Sequence, residues 1–243
     1  MLLSKSYYNI LYPIFLMKFS IIVPVYNEEK TISLLISKLK KISVKNCEFE
    51  LIAVDDASKD NTLKQLEQIK NILLLKSKLN RGKGFSIRLG VKSANGNYII
   101  IQDADLEYNP NELPGLIIPI INKQAKVVYG SRFSGKITGN RILLHDIGNT
   151  GLTFLTNLLY GSNITDMETC YKIIPKQFFD STKLNSCRFD IEPEMTAKIL
   201  KQGYTIKEIP ITYNARSEEE GKKINVLDGI IALFTLLKYR FVD

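Results

Sequence analysis

Residues 98–108 read YIIIQDADLEY, an apolar run that ends directly against two carboxylates, Asp103 and Asp105, with one small residue between them. A run of this composition is typical of a strand that is buried on both faces. If the extended geometry continues past Gln102, both carboxylates point the same way, because side chains alternate along a strand. They could then share one hard cation and its water ligands. A solvated turn that carries two acids is the simpler alternative.

Four further runs of β-branched or aliphatic residues have the length and composition of buried strands. They cover residues 19–25, 49–54, 72–75 and 127–129. Helical periodicity separates the runs, with apolar residues at three- and four-residue steps over 32–42, 63–69 and 84–94. Asn27 is the expected N-cap of the first helix. Strands that alternate with helices predict an α/β fold with a doubly wound, mostly parallel sheet.

The remaining sequence is less regular. Helices are expected at about 147–160, 192–202 and 226–240, and strands near 171–174 and 206–213. Because no linker, charge block or repeat interrupts the pattern, residues 17–243 are expected to form a single domain. Residues 1–16 precede a second methionine and read as an N-terminal extension or a spurious upstream start. Neither this segment nor the apolar stretch 229–237 has the roughly 20 apolar residues that span a bilayer.

Composition excludes several classes of site. The net charge of +8 favours anionic partners such as phosphates, nucleic acid or an acidic membrane face. The three cysteines are odd in number and lack CxxC spacing, so neither a disulfide framework nor a thiolate metal site is indicated, and a reducing cytosol fits best. The single histidine, His145, excludes most designs with a histidine base or several histidine metal ligands.

Polar clusters follow each of the five apolar runs, namely PVYNEE, DDASKDNT, NRGKG, DADLE and GSRF. Since the carboxyl ends of parallel strands meet at one edge of a sheet, these loops are expected to form one ligand site. The glycine fingerprints of dinucleotide folds and of phosphate-loop proteins are both missing. A divalent cation held by Asp103 and Asp105 could handle a substrate diphosphate instead. Asp56 could accept a hydrogen bond from a nucleoside or cap the next helix, and Tyr26 could pack against a base.

The ordered motifs IIVPVYNEE, VDDASKDNT, N-x-GKG, QDADLEYNP and GSRF resemble those of the family 2 glycosyltransferases, which have the GT-A fold. Over residues 17–240 the sequence looks most like the dolichyl-phosphate mannose and glucose synthases and their bacterial polyprenyl-phosphate relatives. The segment EIPITYNARSEEEGKK, with Arg216 and Lys222 six residues apart, favours this lipid-phosphate branch. The resemblance implies a nucleotide-sugar half, 17–135, and an acceptor half, 136–243.

The resemblance also implies roles for individual residues. Asp103, Asp105 and Arg132 would be catalytic. Mg²⁺ or Mn²⁺ would be held by Asp103, Asp105 and Glu107, the last of which stands where the family often has glutamine. The residues implied in substrate binding are Pro24, Tyr26, Glu28, Val54, Asp56, Asp103, Ala104, Asp105, Arg132, Arg216 and Lys222. Arg141 is a further candidate for screening the charges of the two anionic substrates.

The expected reaction is inverting transfer of a hexose from a donor of the GDP-mannose or UDP-glucose type to a polyprenyl or dolichyl phosphate. The acceptor oxygen of a phosphate is already anionic at neutral pH, so little deprotonation is needed. The expected partners are a nucleotide sugar and a lipid phosphate, with no nucleic acid. The expected location is the cytoplasm, with peripheral attachment to the membrane, where the apolar stretch 230–237 would border the lipid or pack in the core.

Three alternatives stay open. A transferase that acts on a saccharide hydroxyl would need a carboxylate base, and Asp166 and Glu168 in ITDMETCYK are the candidates. An inactive nucleotide-binding protein could keep the same fold. Haloacid-dehalogenase-type phosphatases also use Asp-x-Asp, but after the first strand and not the fourth. The sequence distinguishes neither GDP from UDP nor one hexose from another.

Overall fold

A computed structural model describes residues 16–139, 143–216 and 226–242, apart from the side chains of Leu144 and Val226. The strands are β1 Met17–Val25, β2 Cys47–Asp55, β3 Leu73–Lys76, β4 Tyr98–Ile101, β5 Val127–Gly139, β6 Lys172–Pro175 and β7 Ile206–Ala215. The helices are α1 Ile32–Leu39, α2 Thr62–Gln68, α3 Lys83–Ser93, α4 Leu113–Ile121, α5 Leu143–Tyr160, α6 Lys176–Ser181, α7 Ile191–Lys201 and α8 Val226–Phe241.

The strands form one sheet in the order β3-β2-β1-β4-β6-β5-β7. β1 pairs in parallel with β2 and β4, β2 with β3, and β5 with β7, while β6 runs antiparallel between β4 and β5. The expected α/β fold with a mostly parallel sheet is thus confirmed. Because β1 to β5 all run in the same direction, the loops that follow them lie at one edge of the sheet.

Side chains alternate across the sheet and pack into two apolar layers. Along β1, Phe19, Ile21 and Val23 point into the layer that contains α1 and α4, whereas Ile22 faces the layer of α3 and α7. All four side chains are fully buried. Burial on both faces explains why the strands read as continuous apolar runs rather than as alternating patterns.

Helices α1, α4 and α6 differ from the sequence-based expectation, and α6 is a short helix that was not expected. Asn27, the expected N-cap, has a φ of 53° and lies in the loop, and α1 begins at Ile32 after Thr31. Helix α4 was not expected at all, because Pro114 and Pro119 obscure its apolar pattern. Pro114 is tolerated in the first turn, where the missing N–H would have no partner within the helix.

β5 extends well beyond its expected end and pairs with β7 as a long ribbon. A shift in register lies between Ser131 and Lys136. Gly135 occupies this irregular stretch, where an added Cβ would lie 1.9 Å from the carbonyl oxygen of Ile211. The boundary between the expected nucleotide-sugar half, 17–135, and acceptor half, 136–243, therefore falls inside β5. The division into these two halves stays a proposal about function.

The described residues include one of the two apolar segments that the sequence raises as membrane candidates. The stretch 229–237 forms the middle of α8, whereas residues 1–15 lie outside the described residues. None of the described helices combines the length and the apolarity that crossing a bilayer requires.

Candidate active site

A cavity of about 750 Å³ opens at the edge of the sheet where β1, β2 and β4 end. Residues of helices α5 and α8 also line it. The cavity collects most of the residues that the sequence singles out. These are Pro24, Tyr26, Glu28, Asp56, Asp103, Ala104, Asp105, Glu107, Arg132 and Arg216. The substrate that each of them binds stays a prediction.

The two aspartates reach the cavity from a turn and not from a strand. β4 ends at Ile101, and Leu106 has a φ of 62°, so the extended geometry does not continue through this segment. Alternation along a strand is therefore the wrong reason for bringing Asp103 and Asp105 together. Both residues nevertheless line the same cavity.

Lys83, from the NRGKG loop, neutralises Asp103. Its Nζ lies 2.7 Å from Asp103 Oδ1 and 3.1 Å from Glu192 Oε1. Burial by itself lowers the pKa of the Lys83 ammonium, but the neighbouring Asp103, Cys170 and Glu192 hold this pKa well above its usual value. Burial also raises the pKa of Asp103, but the positive charge of Lys83, hydrogen bonds from Cys170 and Lys83, and the charge of Arg216 together more than offset this, so the pKa lies below its usual range. Asp103 is therefore ionised at neutral pH.

Arg216 binds the second aspartate. Its Nη2 lies 2.9 Å from Asp105 Oδ2, and its Nη1 lies 3.2 Å from Glu28 Oε2. Burial, followed by repulsion from Asp103 and Glu107, nevertheless raises the pKa of Asp105 to about 7 against the attraction of Arg216. Negative charge in this part of the cavity thus exceeds what Arg216 neutralises, and an added cation would stabilise the ionised form.

Glu107 is held by two donors. The hydroxyl of Tyr213 donates to Glu107 Oε2 at 2.9 Å, and the backbone N–H of Arg216 donates to Oε1 at 2.8 Å. Among the described residues, no three histidine, cysteine, aspartate or glutamate side chains form a group that could hold a metal ion. A cation at Asp103 and Asp105 would therefore take further ligands from substrate and water, as Mg²⁺ commonly does. Direct ligation by Glu107 stays a prediction.

Arg132 forms a bidentate ion pair with Asp166. Its Nε and Nη2 donate to the carboxylate at 2.8 and 2.7 Å, and its backbone N–H donates at 2.9 Å. Asp166 is fully buried and is not among the residues that line the cavity. A carboxylate held by three donors is poorly placed to act as a general base. Asp166 instead positions Arg132.

Glu168, the other base that the sequence suggests, does line the cavity. Its Oε1 is buried and has no hydrogen-bond partner among the described residues. Burial raises the pKa of Glu168 to about 7, although the positive charges of Lys172 and Arg132 oppose this. A carboxyl with this pKa can accept or donate a proton close to neutral pH.

Asp56 anchors a loop. Its carboxylate accepts the backbone N–H of Arg81 at 3.0 Å and that of Gly82 at 2.6 Å. Gly82 has a φ of 93°, which side chains disfavour. The anchored loop leads directly into α3 and so places Lys83 beside Asp103. Asp56 therefore does not cap the next helix, α2, as the sequence suggested, but holds the loop before α3. A contact between Asp56 and the nucleoside stays a prediction.

One candidate from the sequence is not brought to the cavity, and two lie outside the described residues. Val54 is fully buried in the apolar layer beside Ile22 and Ile52 and does not line the cavity. Its side chain points into the core on the α3 side of the sheet, so the side chain does not face the cavity, and a contact between Val54 and a nucleoside stays a prediction. Arg141 and Lys222 lie outside the described residues.

Sequence reasoning missed a buried ionic network next to Asp103. Glu192 lies between Lys83 and Lys172, with Oε1 near the first ammonium and Oε2 bonded to the second. Lys172 Nζ also donates to the carbonyl oxygens of Met167 and Thr169 at 3.1 and 2.7 Å. The place of Lys83 in the GKG motif is a sequence signal that could have identified it as a site residue. Nothing in the local sequence marks Glu192, which starts a helix that is otherwise ordinary.

The family of the chain follows from comparison with known proteins. A family model described as "Glycosyl transferase family 2" matches residues 20–182, well over half of the chain. The match contains the loops that carry Asp56, Asp103, Asp105 and Arg132. The chain belongs to the family 2 glycosyltransferases. The geometry described above is thus that of a glycosyltransferase cavity.

Relatives of this glycosyltransferase extend over most of its length. It is 30% identical over 226 residues to the uncharacterized protein MJ1222 of Methanocaldococcus jannaschii, covering 89% of this chain and 90% of the relative. It is 29% identical over 239 residues to a UDP-N-acetylglucosamine–dolichyl-phosphate N-acetylglucosaminyltransferase of Methanococcus voltae, covering 89% and 94%. It is 28% identical over 202 residues to the low-salt glycan biosynthesis hexosyltransferase Agl6 of Haloferax volcanii, covering 82% of this chain and 48% of the relative.

Solved structures share the fold of this glycosyltransferase. Glucosyl-3-phosphoglycerate synthase from Mycobacterium tuberculosis, in complex with UDP, matches with a TM-score of 0.74 at 15% identity, covering 93% of this chain and 81% of that one. The same synthase with Mn²⁺, UDP and phosphoglyceric acid gives 0.72 at 16% identity, covering 93% and 80%. Similarity at this identity concerns the fold alone. The expected GT-A fold is confirmed.

Proposed function

We propose that this glycosyltransferase moves a sugar from a nucleotide sugar to a polyprenyl or dolichyl phosphate, with inversion at C1 and with Mg²⁺ or Mn²⁺ as cofactor. The observation that carries this function is the composition of one cavity. Asp103, Asp105 and Arg132 line this cavity together with apolar residues of α5 and α8. A diphosphate and an isoprenoid phosphate together call for this combination of acids, cations and apolar surface.

Asp103 and Asp105 would hold the cation, with Glu107 as a proposed third contact. The donor set fits, because carboxylate oxygens suit Mg²⁺ and Mn²⁺ and because burial, together with repulsion from Asp103 and Glu107, raises the pKa of Asp105, a shift that a bound cation would oppose. When bound, the ion would stabilise the charge that develops on the departing diphosphate.

Arg132 would provide a fixed positive charge for the same diphosphate. Its pair with Asp166 uses Nε and Nη2, which leaves Nη1 outside the pair. Asp166 fixes the plane of the guanidinium, so little reorganisation is needed when negative charge develops nearby. We propose that Arg216 and Lys222, with Arg141, screen the acceptor phosphate from the donor.

The donor nucleoside would lie in the part of the cavity formed by Pro24, Tyr26 and Asp56. We propose UDP as its diphosphate form, because the M. voltae relative is named for a UDP-sugar. The same name supports an N-acetylhexosamine as the sugar, and the H. volcanii relative supports a hexose. A mannose donor, expected from the sequence resemblance, has no support from these names.

A lipid phosphate as acceptor agrees with the chemistry available in the cavity. Its attacking oxygen is anionic, so Asp166 can remain bound to Arg132 throughout the reaction. The M. voltae relative is named for dolichyl phosphate. An enzyme with such an acceptor would work at the cytoplasmic face of a membrane, to which we propose it attaches peripherally.

A transfer assay tests this function. Labelled UDP-N-acetylglucosamine, UDP-glucose and GDP-mannose are each incubated with the protein, Mn²⁺ and a polyprenyl phosphate, and the lipid is extracted. We expect label in the lipid with a UDP-sugar, and a loss of about 100-fold or more in Asp105→Asn. Asp180→Asn, at an exposed aspartate paired with Lys176, is the control and should keep full activity.

Two outcomes would contradict the proposal. Undiminished turnover of Asp105→Asn in saturating Mg²⁺ and Mn²⁺ would show that Asp105 does not hold a catalytic metal ion. Transfer to oligosaccharides but not to polyprenyl phosphate would show that the acceptor is a saccharide and not a lipid phosphate.

A saccharide hydroxyl is the second candidate acceptor, and one observation favours it. Glu168 lines the cavity with an unpartnered oxygen and a pKa of about 7, which suits a general base. In that case Glu168→Gln should lower kcat strongly while KM for the nucleotide sugar stays unchanged. With a lipid phosphate as acceptor, the same variant should keep most of its kcat, because no proton has to be removed.

A further inference from the structure

A row of buried charges leads from the core of the protein to Asp103. Lys83 Nζ lies between Asp103 Oδ1, at 2.7 Å, and Glu192 Oε1, at 3.1 Å, and the other oxygen of Glu192 binds the ammonium of Lys172. Lys83, Asp103 and Glu192 line the cavity, whereas Lys172 does not. The row therefore connects a charge in the core with a carboxylate of the candidate metal site.

The charges of this row balance. Two ammonium groups, Lys83 and Lys172, alternate with two carboxylates, Asp103 and Glu192. Without Glu192, both ammonium groups would act on Asp103 alone. Because water screens buried charges only weakly, the surplus of one positive charge would act strongly on any cation bound at Asp103.

Stability does not account for the pair of Glu192 with Lys172. Their side chains are 3% and 0% exposed, and the cost of removing two such charges from water roughly cancels their attraction. Lys172 is also fixed independently of Glu192, since its Nζ donates to the carbonyl oxygens of Met167 and Thr169 at 3.1 and 2.7 Å. Lys172 is thus a rigid anchor for the carboxylate of Glu192.

The segment that carries Glu192 also fixes the backbone around Lys83. The N–H groups of Gly84 and Phe85 donate to the carbonyl oxygens of Arg188 and Cys187 at 3.2 and 3.0 Å. These acceptors lie directly before α7, and the first turn of α7 holds the ammonium of Lys83. Both the backbone and the side chain of this lysine are therefore placed by one part of the chain.

We propose that Glu192 is a positioning residue for the divalent cation. It holds Lys83 beside Asp103 and cancels the charge of Lys172, so the surroundings of Asp103 stay negative enough to bind the ion. Glu192 acts through Lys83 and Asp103 and not by contact with the ion. This inference rests on the proposed function, in which Asp103 and Asp105 hold Mg²⁺ or Mn²⁺.

Binding of Mn²⁺ to the full chain tests the inference without any turnover. The electron paramagnetic resonance signal of free Mn²⁺ is followed during titration of the protein in saturating UDP, with UDP alone as the blank. We expect Glu192→Gln to raise the Kd for Mn²⁺ at least about tenfold, because one buried negative charge near the ion is lost.

Glu194→Gln is the matched control. Glu194 lies in the same helix, is fully buried, pairs with Lys198 at 2.9 Å and does not line the cavity. Both substitutions should lower Tm, since each leaves a buried lysine without its carboxylate. Only Glu192→Gln should weaken the binding of Mn²⁺.

Lys172→Met changes the charge in the opposite direction and should bind Mn²⁺ at least as tightly as the wild type. The double variant Glu192→Gln, Lys172→Met restores the balance, so its Kd should lie within about threefold of the wild-type value. Its Tm should stay below that of the wild type, because the carbonyl oxygens of Met167 and Thr169 lose their donor. Recovery of the Kd without recovery of Tm would distinguish charge from structural damage.

Several outcomes would overturn the role of Glu192. These are an unchanged Kd in Glu192→Gln, an equal weakening in Glu194→Gln, a weaker affinity in Lys172→Met, and a double variant that binds no better than Glu192→Gln. The last two apply even if Glu192→Gln alone does not fold. A wild type that binds no Mn²⁺ in saturating UDP would refute the metal role in the proposed function as well, whereas a wild type that binds Mn²⁺ equally well in all variants would refute only the role of Glu192.

Discussion

The cavity concentrates ionisable side chains whose pKa values are moved in opposite directions. Asp103 is kept ionised by Lys83, whereas Asp105 and Glu168 have pKa values raised to about 7. Burial raises the pKa of all three carboxyls; at Asp103 positive charges and hydrogen bonds outweigh it, at Asp105 repulsion from Asp103 and Glu107 adds to it, and at Glu168 the charges of Lys172 and Arg132 oppose it only in part. A site with this asymmetry can bind cations and exchange protons within a narrow range of pH.

The raised pKa of Glu168 makes stability depend on pH. In the folded protein this pKa is about 7, against 4.5 as the ordinary value. Between these values the folded form holds a proton that the unfolded chain has lost, so the stabilisation present below pH 4.5 is lost as pH rises toward 7. Glu168→Gln should therefore lose less stability than the wild type between pH 5 and pH 8, by about 3 kcal/mol at most.

Urea unfolding of both proteins at the two pH values measures this difference. Glu67→Gln, at a side chain that is 48% exposed and paired with Lys76, is the control and should follow the wild type. An equal loss of stability in Glu168→Gln and wild type would show that Glu168 is ordinarily solvated in the folded protein.

Several of these residues were recognisable without the fold, and their partners were not. Asp103, Asp105 and Glu168 stand in short motifs whose acids are visible in the sequence. Arg132 and Asp166 are 34 residues apart, and Asp105 and Arg216 are 111 residues apart. A pattern read over a few neighbouring residues has no access to pairs at such separations.

Among the elements, the β5–β7 ribbon depends most on a single residue. An added Cβ at Gly135 would lie 1.9 Å from the carbonyl oxygen of Ile211 and 2.6 Å from its nitrogen, so the strands would have to separate. Gly135→Ala should therefore lower the free energy of unfolding by at least about 2 kcal/mol. Thermal or urea unfolding measures the change.

Gly115 provides the matched control, because nothing lies within 4 Å of a Cβ placed there. This residue is exposed in α4, so Gly115→Ala should raise the free energy of unfolding by about 0.5–1 kcal/mol. Wild-type stability in Gly135→Ala would mean that the ribbon separates at little cost and that its irregular register does not depend on glycine.

The elements also differ in how far their sequence specifies them. Buried strands such as β1 and β4 follow directly from apolar runs, since both of their faces lie in the core. α4 and the outer part of β5 cannot be recognised in this way. Prolines mask the apolar pattern of α4, and pairing with β7 determines where β5 ends. Both of these elements depend on tertiary contacts that override local preference.

At the level of the complete fold, the cavity depends on strands from both ends of the chain. Tyr26 follows β1, Asp105 follows β4 and Arg216 follows β7, and only the sheet order brings them to one cavity. A ligand that contacts all three loops would hold the two halves of the sequence together. Its binding should therefore stabilise the protein against global unfolding.

A thermal-shift panel of nucleoside diphosphates tests this. UDP with Mn²⁺ should raise Tm more than GDP with Mn²⁺, and at about 100 times its Kd it should add about 2.7 kcal/mol to the free energy of unfolding. Asp105→Asn should lose most of the Mn²⁺-dependent part of the shift. A larger shift with GDP would assign the protein to guanosine donors, and the absence of any shift would argue against a nucleotide site.

The sequence by itself determined the fold class, the edge of the sheet at which the cavity opens and the family, because apolar runs, loop motifs and their order are all local signals. Tertiary structure alone decided that Asp105 meets Arg216, that Asp166 pairs with Arg132, that Val54 faces the core, and that α5 and α8 both line the cavity. Those outcomes follow from strand order and helix packing. Both bring together residues far apart in the chain, whose pairing leaves no mark on either local segment.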